Sequence, residues 1–141
     1  MKMNKSLLDT DTLSEILKGK NAKVRQKADN YLAHFEQYTI SIMTITEIIK
    51  GFHKVQREEH IERFLSTIST VEILTLNLES AELAGRIYAD LEKTGKPIGC
   101  ADPIIAAIAL ENDLVLTTGN LRHYQRIQAL SYPLKLDNWK Q

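Results

Sequence analysis

Four apolar runs, each too short to be a helix, punctuate this chain at Ser6–Leu8, Tyr38–Met43, Val71–Leu76 and Leu114–Thr117, with a weaker one at Leu134–Leu136. Between them the apolar residues return every three or four positions. Leu13, Ile16 and Leu17 mark residues 12 to 18, and Val24, Ala28, Tyr31, Leu32 and Phe35 mark 22 to 36. Thr46–Val55, Glu58–Ile68 and Ala81–Glu92 follow the same rule, so amphipathic helices are expected there. Strands alternating with helices predict an α/β layer fold with a mostly parallel sheet. LVLTT is expected to be an inner strand. Ile104–Leu110, apolar all round, is expected to be a helix buried on several sides.

A chain of 141 residues, 43% of them hydrophobic, suits one domain spanning 1–141. Prolines and glycines are thinly spread, and there is no repeat or linker. Eighteen basic and eighteen acidic residues cancel, so no global field draws the chain onto a nucleic acid, and any such contact needs a local patch. The single Cys100 excludes an internal disulfide framework and is expected to be a small buried apolar residue. No apolar run approaches membrane-spanning length, and MKMNKSLLDTDTL lacks the apolar core of a secretion signal. A soluble cytoplasmic protein without membrane contact is the expectation.

In an open parallel sheet, ligands bind in the crevice outside the carboxyl ends of the strands. Asp9 and Asp11 follow the first run, Thr44 and Glu47 the second, and Thr118 and Asn120 the fourth. Asp102 opens the apolar helix and can reach the same crevice. If Asp9, Glu47 and Asp102 gather within a few ångströms, their mutual repulsion raises their pKa values unless a cation joins them. Oxygen ligands without His or Cys suit a hard ion, Mg²⁺ or Mn²⁺. Helix capping offers a plainer role for several of these residues. Asp11 or Thr12 can cap the first helix, Thr44 to Glu47 has a capping-box pattern, and Asp102 precedes Pro103 as an N-cap does. Capping does not explain why such residues recur at the ends of successive strands.

LLDTDTLSEIL, TITEIIKG, GKPIGCADPIIAAIAL, LVLTTGNLRHYQRI and the ending LDNW, in that order, resemble the PIN-domain ribonucleases, specifically the VapC-type toxins of bacterial toxin–antitoxin pairs. The resemblance implies a three-layer α/β/α domain with about five strands and an acidic site holding Mg²⁺. Carried over by position, it places the catalytic and metal-binding roles on Asp9, Glu47, Asp102 and Asn120, with Thr118 and Asp11 as accessory residues. Many PIN domains carry aspartate where Asn120 stands, and the neutral amide puts a second metal in doubt. His123 and Tyr124 match a His-aromatic pair and are expected on a helix surface.

The implied reaction is hydrolysis of RNA, often transfer RNA, by metal-activated water, leaving a 5′-phosphate and a 3′-hydroxyl. The implied partners are a second copy of the chain and a small cognate antitoxin that offers a basic side chain to the acids. Lys50 and Lys54 after Glu47, and Arg122 and Arg126 after Asn120, are candidates for RNA phosphates, although Lys18, Lys20, Lys23, Arg25 and Lys27 are as rich in charge. Two alternatives stand beside this reading. One is an inactive PIN-like binding module. The other is a haloacid-dehalogenase-like phosphatase, whose D-x-D-x-T start Asp9–Leu13 resembles but whose later lysine and paired aspartates are not found here.

Overall fold

The computed structural model describes residues 3–141, so the leader reading of the N-terminal stretch falls partly on Met1 and Lys2, outside the described residues. Its elements run β1 (Ser6–Leu8), α1 (Thr10–Lys18), α2 (Ala22–Phe35), β2 (Thr39–Ser41), α3 (Ile42–Lys54), α4 (Glu58–Ser66), β3 (Glu72–Leu74), α5 (Leu78–Lys93), α6 (Ala101–Glu111), β4 (Val115–Thr117), α7 (Leu121–Gln128) and β5 (Leu136–Asp137). Every pairing is parallel, in the order β3-β2-β1-β4-β5. The expected α/β/α sandwich with a five-stranded sheet is therefore the observed one.

Leu7 and Leu8 show how β1 divides the core. Successive strand side chains point to opposite faces. Leu7 joins Ala84, Ile87, Ile105, Ile108, Leu116 and Ile127 on one side. Leu8 joins Leu13, Val24, Tyr31, Ile40, Phe64 and Trp139 on the other. Helices α5 to α7 cover the first face, and α1 to α4 the second. Ile105 to Ala109 are fully buried, as the all-round apolar pattern predicts, and each isoleucine contributes about 2 to 3 kcal/mol of burial. The alanines among them let α6 lie close to its neighbours.

Strand lengths differ from expectation where a capping side chain intervenes. The second strand stops at Ser41, whose Oγ accepts from Thr44 N at 3.3 Å and starts α3 at Ile42. Asn77 likewise accepts from Ser80 N at 2.8 Å and starts α5 three residues before the apolar stripe indicates. Helix α1 ends at Gly19, where φ of 66° requires the left-handed conformation that glycine adopts freely. Cys100 corrects another expectation. It is exposed, because it lies in the turn before α6 and not in its buried stripe.

The strand order places the ligand crevice. From β1 the chain passes outward to β2 and β3, then returns to the opposite flank of β1 with β4 and β5. That reversal is a topological switch point, where the flanking connections leave in opposite directions and a cleft opens above the strand ends. It lies between β1 and β4. Among the described residues no helix is long and apolar enough to cross a membrane.

Candidate active site

Asp9 is the first residue beyond β1, and its N–H donates to Thr117 O at 2.9 Å, prolonging the ladder between β1 and β4. Its side chain is then held from two directions. Oδ1 accepts from Thr10 N at 2.9 Å, and Oδ2 accepts from the Thr118 hydroxyl at 2.8 Å. Thr118 is itself fully buried and its oxygen accepts from Asn120 N at 2.9 Å, which fixes the hydroxyl's direction. The two strand ends flanking the switch point are thus joined through a carboxylate.

That carboxylate sits in an unfavourable field. Asp9 is only 6% exposed, and burial pushes its pKa from 3.8 up to about 7, with Asp11 and then Asp102 adding repulsion that the Thr118 and Thr10 hydrogen bonds only partly offset. Asp102, in the first turn of α6, faces the same space from the other side of the sheet. Its Oδ1 accepts from the Tyr124 hydroxyl at 3.2 Å, and its Oδ2 lies 3.1 Å from His123 Nδ1. A carboxylate only accepts, so with Nδ1 protonated the ring donates to Asp102, and with Nδ1 bare it accepts from the Asn120 Nδ2, 2.9 Å away. Burial, with Asp9 and Asp102 nearby, drives the Tyr124 phenol well above its usual range, which keeps it a donor.

Asp11 does not cap α1. Asp9 occupies that position, and the Asp11 Oδ2 instead crosses to accept from Gly119 N at 2.9 Å. Only glycine admits this approach, since a Cβ at residue 119 would stand 2.8 Å from the same oxygen. Thr12 forms no capping box either and donates to Thr117 O at 3.2 Å. The N-cap of α3 is Ser41, not Thr44, and that of α6 is Cys100, not Asp102. The capping explanation therefore fails for each acid except Asp9, which caps and faces the cleft together.

Glu47 stands to one side. Its Oε1 accepts from the Thr10 hydroxyl at 2.5 Å, and that hydroxyl also exchanges a hydrogen bond with the buried Thr44 at 3.1 Å. Among the described residues no three His, Cys, Asp or Glu side chains converge tightly enough to hold an ion between them. The close carboxylate triad expected from sequence is replaced by a looser arrangement. Like charges repel, and each acid turns to neutral donors: Thr118, Thr10 and Tyr124. Asp9 and Asp102 remain coupled through Tyr124 and through their mutual repulsion, and an all-oxygen pair of this kind fits a hard divalent cation.

Sequence reasoning missed Thr10 and misplaced Tyr124. Tyr124 is fully buried, not on a helix surface, and His123 faces Asp102. The spacing of Leu121, Tyr124 and Ile127 carried the signal, because it sets the inward stripe of α7. Replacing Thr118 by valine removes the hydrogen bond that favours ionised Asp9. Activity is expected to fall roughly ten- to a hundredfold, with the acid limb of the pH–rate profile moved upward; an unmoved limb would contradict the coupling.

A family model described as the PIN domain matches residues 6–129. The chain is 30% identical over 97% of its length to the tRNA(fMet)-specific endonuclease VapC of Salmonella typhimurium, covering 99% of that protein. It is 32% identical over 91% of its length to the protein of the same name from Shigella flexneri, covering 96% of it. Among solved structures, it is similar to DNA-bound VapBC from Salmonella typhimurium, with a TM-score of 0.81 at 30% identity, covering 97% of this chain and 99% of that one. It is also similar to VapBC-1 from nontypeable Haemophilus influenzae, with a TM-score of 0.76 at 28% identity and coverages of 96% and 98%.

Proposed function

The chain belongs to the PIN-domain family, and from that premise we propose that residues 1–141 act as one unit, a metal-dependent endoribonuclease of the VapC toxin type. The observation that carries the reading is Asp9, a buried carboxylate at the switch point, repelled by Asp11 and Asp102 and tied to Thr118 across the cleft. The haloacid-dehalogenase-like alternative falls with the family assignment.

Asp9 and Asp102 would hold the cation, Mg²⁺ or Mn²⁺, with Glu47 and Asn120 gripping it directly or through water. When bound, the ion supplies an activated water and a counter-charge for the phosphoryl oxygens. The chain's own residues do the rest. Thr118 and Thr10 fix the direction of the Asp9 oxygens, while Tyr124 and His123 fix Asp102 between them. Asp11 anchors the Gly119 turn that carries Asn120 to the rim. Glu47, hydrogen-bonded to Thr10 beside Asp9, adds negative charge to the same cleft. Hydrolysis there leaves a 5′-phosphate and a 3′-hydroxyl.

The names of the Salmonella and Shigella relatives support a transfer RNA as substrate, tRNA(fMet) being the first to test. The VapBC structures support a cognate antitoxin as partner; a homodimer of this chain, implied by the family resemblance, belongs to the same proposal. The cytoplasm, where such RNA resides, is the site of action. Purified protein is expected to cleave tRNA in Mg²⁺, to stop in EDTA, and to leave ends that ligate only through a 5′-phosphate. No cleavage with any metal, together with harmless overexpression, would favour an inactive binding module, the reading that neutral Asn120 favours.

A further inference from the structure

The formal charge of the chain is zero, yet its cations are unevenly partnered. Lys96, Arg122 and Arg126 line a groove of about 440 Å³ with Thr94, Gln125 and Leu130, and no carboxylate lines it. Among the described residues none of the three has an acidic partner within ion-pair distance, as holds for most lysines and arginines of the chain; what sets these three apart is that they line one groove. Arg122 and Arg126 stand one helical turn apart, about 6 Å along the axis of α7. Arg126 Nη1 donates to Pro97 O at 3.1 Å, which fastens α7 to the segment leading into α6.

Of the two walls of this groove, one builds a side of the active site and the other leads towards it. The first is α7, where Arg122 adjoins the His123 that contacts Asp102. The other is Thr94 and Lys96, where α5 ends and the connection to α6, the helix that carries Asp102, begins. Unpaired cations beginning next to a cluster of carboxylates suit a polyanion that must pass those carboxylates. We propose that the α7 groove holds the phosphodiester backbone of the RNA on one side of the scissile bond, with Lys96, Arg122 and Arg126 as positioning residues. The identity of the ligand rests on the ribonuclease reading; the charge arrangement does not. Sequence alone did not separate Arg122 and Arg126 from Lys50 and Lys54. The groove does, because neither lysine lines it.

The test reads binding apart from cleavage. Labelled tRNA is titrated against Asp9→Asn protein across about 50 to 300 mM salt, with and without the triple change Lys96→Gln, Arg122→Gln, Arg126→Gln. The triple variant is expected to flatten the log–log salt slope by about 2 to 3, since each lost phosphate contact removes roughly 0.7 to 0.9. In the otherwise native protein the same change is expected to raise KM about tenfold and leave kcat within about twofold, as loss of uniform binding does. Arg122→Lys should keep the slope, and a Lys50→Gln, Lys54→Gln control should match its parent. An unchanged slope and KM in the triple variant, or an equal loss in the control, overturns the proposal. A protein that never cleaves RNA but loses its salt slope in the triple variant supports the groove and rejects the nuclease assignment.

Discussion

Asp9→Asn is expected to reduce RNA cleavage below about a thousandth of the parent while the protein stays folded, a loss of at least ~4 kcal/mol of transition-state stabilisation. The amide is nearly isosteric and still accepts from Thr10 N or Thr118 at one of its termini, so the cap and the β1–β4 junction survive. What it cannot supply is the negative charge. Asp9 is the most buried acid of the site, and a cation there would draw its affinity chiefly from that charge. Asp102→Asn is expected to behave similarly. Cleavage of tRNA measured beside a thermal melt decides the point, and near-parental activity with either amide would remove these residues from the reaction.

The second large effect is on stability, and it runs against the usual expectation for a charged site. In the folded protein Asp9 titrates near 7, above its ordinary 3.8, so between those values the native state holds a proton that the unfolded chain has released. Stability therefore falls as pH rises from about 4 to 7 and levels off above. At 1.36 kcal/mol per pH unit, the displacement from 3.8 to about 7 amounts to as much as about 4 kcal/mol. Asp9→Asn lacks this slope, and its advantage over the parent should grow through that window. Urea melts at pH 5 and pH 8 give the difference directly. A divalent cation at a hundred times its Kd is expected to return about 2.7 kcal/mol to the parent at pH 8 and little to the variant. Parallel pH profiles for the two proteins would show that Asp9 does not carry the strain assigned to it.

Much of this architecture could be read before any coordinates. Leu7-Leu8 and Leu114–Thr117 are short, apolar and bounded by polar turns, and both form buried parallel strands. The sheet order then brought Asp9 and Thr118 together, a contact across 109 positions that local patterning does not contain. Element ends were less legible, because a single hydroxyl or amide decides them: Ser41 ended a strand that apolar content would have continued to Met43. The site itself was legible as a set of oxygen-bearing residues but not as a geometry. Glu47's attachment to Thr10, the crossing of Asp11 to Gly119 and the inward turn of Tyr124 depend on which neighbours lie across the cleft. Cys100 was misplaced for the opposite reason, its chemistry being apolar while its position in the turn is open.

The central strand is the first to be synthesised, yet the neighbour that completes its carboxyl end is the fourth. Asp9 and Glu47 leave the ribosome while the partners at 102 and 118 to 124 are still unmade, and pairing across so long a loop comes late. A nascent chain of this protein therefore carries only half of its acidic cleft, and the cleft closes into one site only once residues 102 to 124 have emerged.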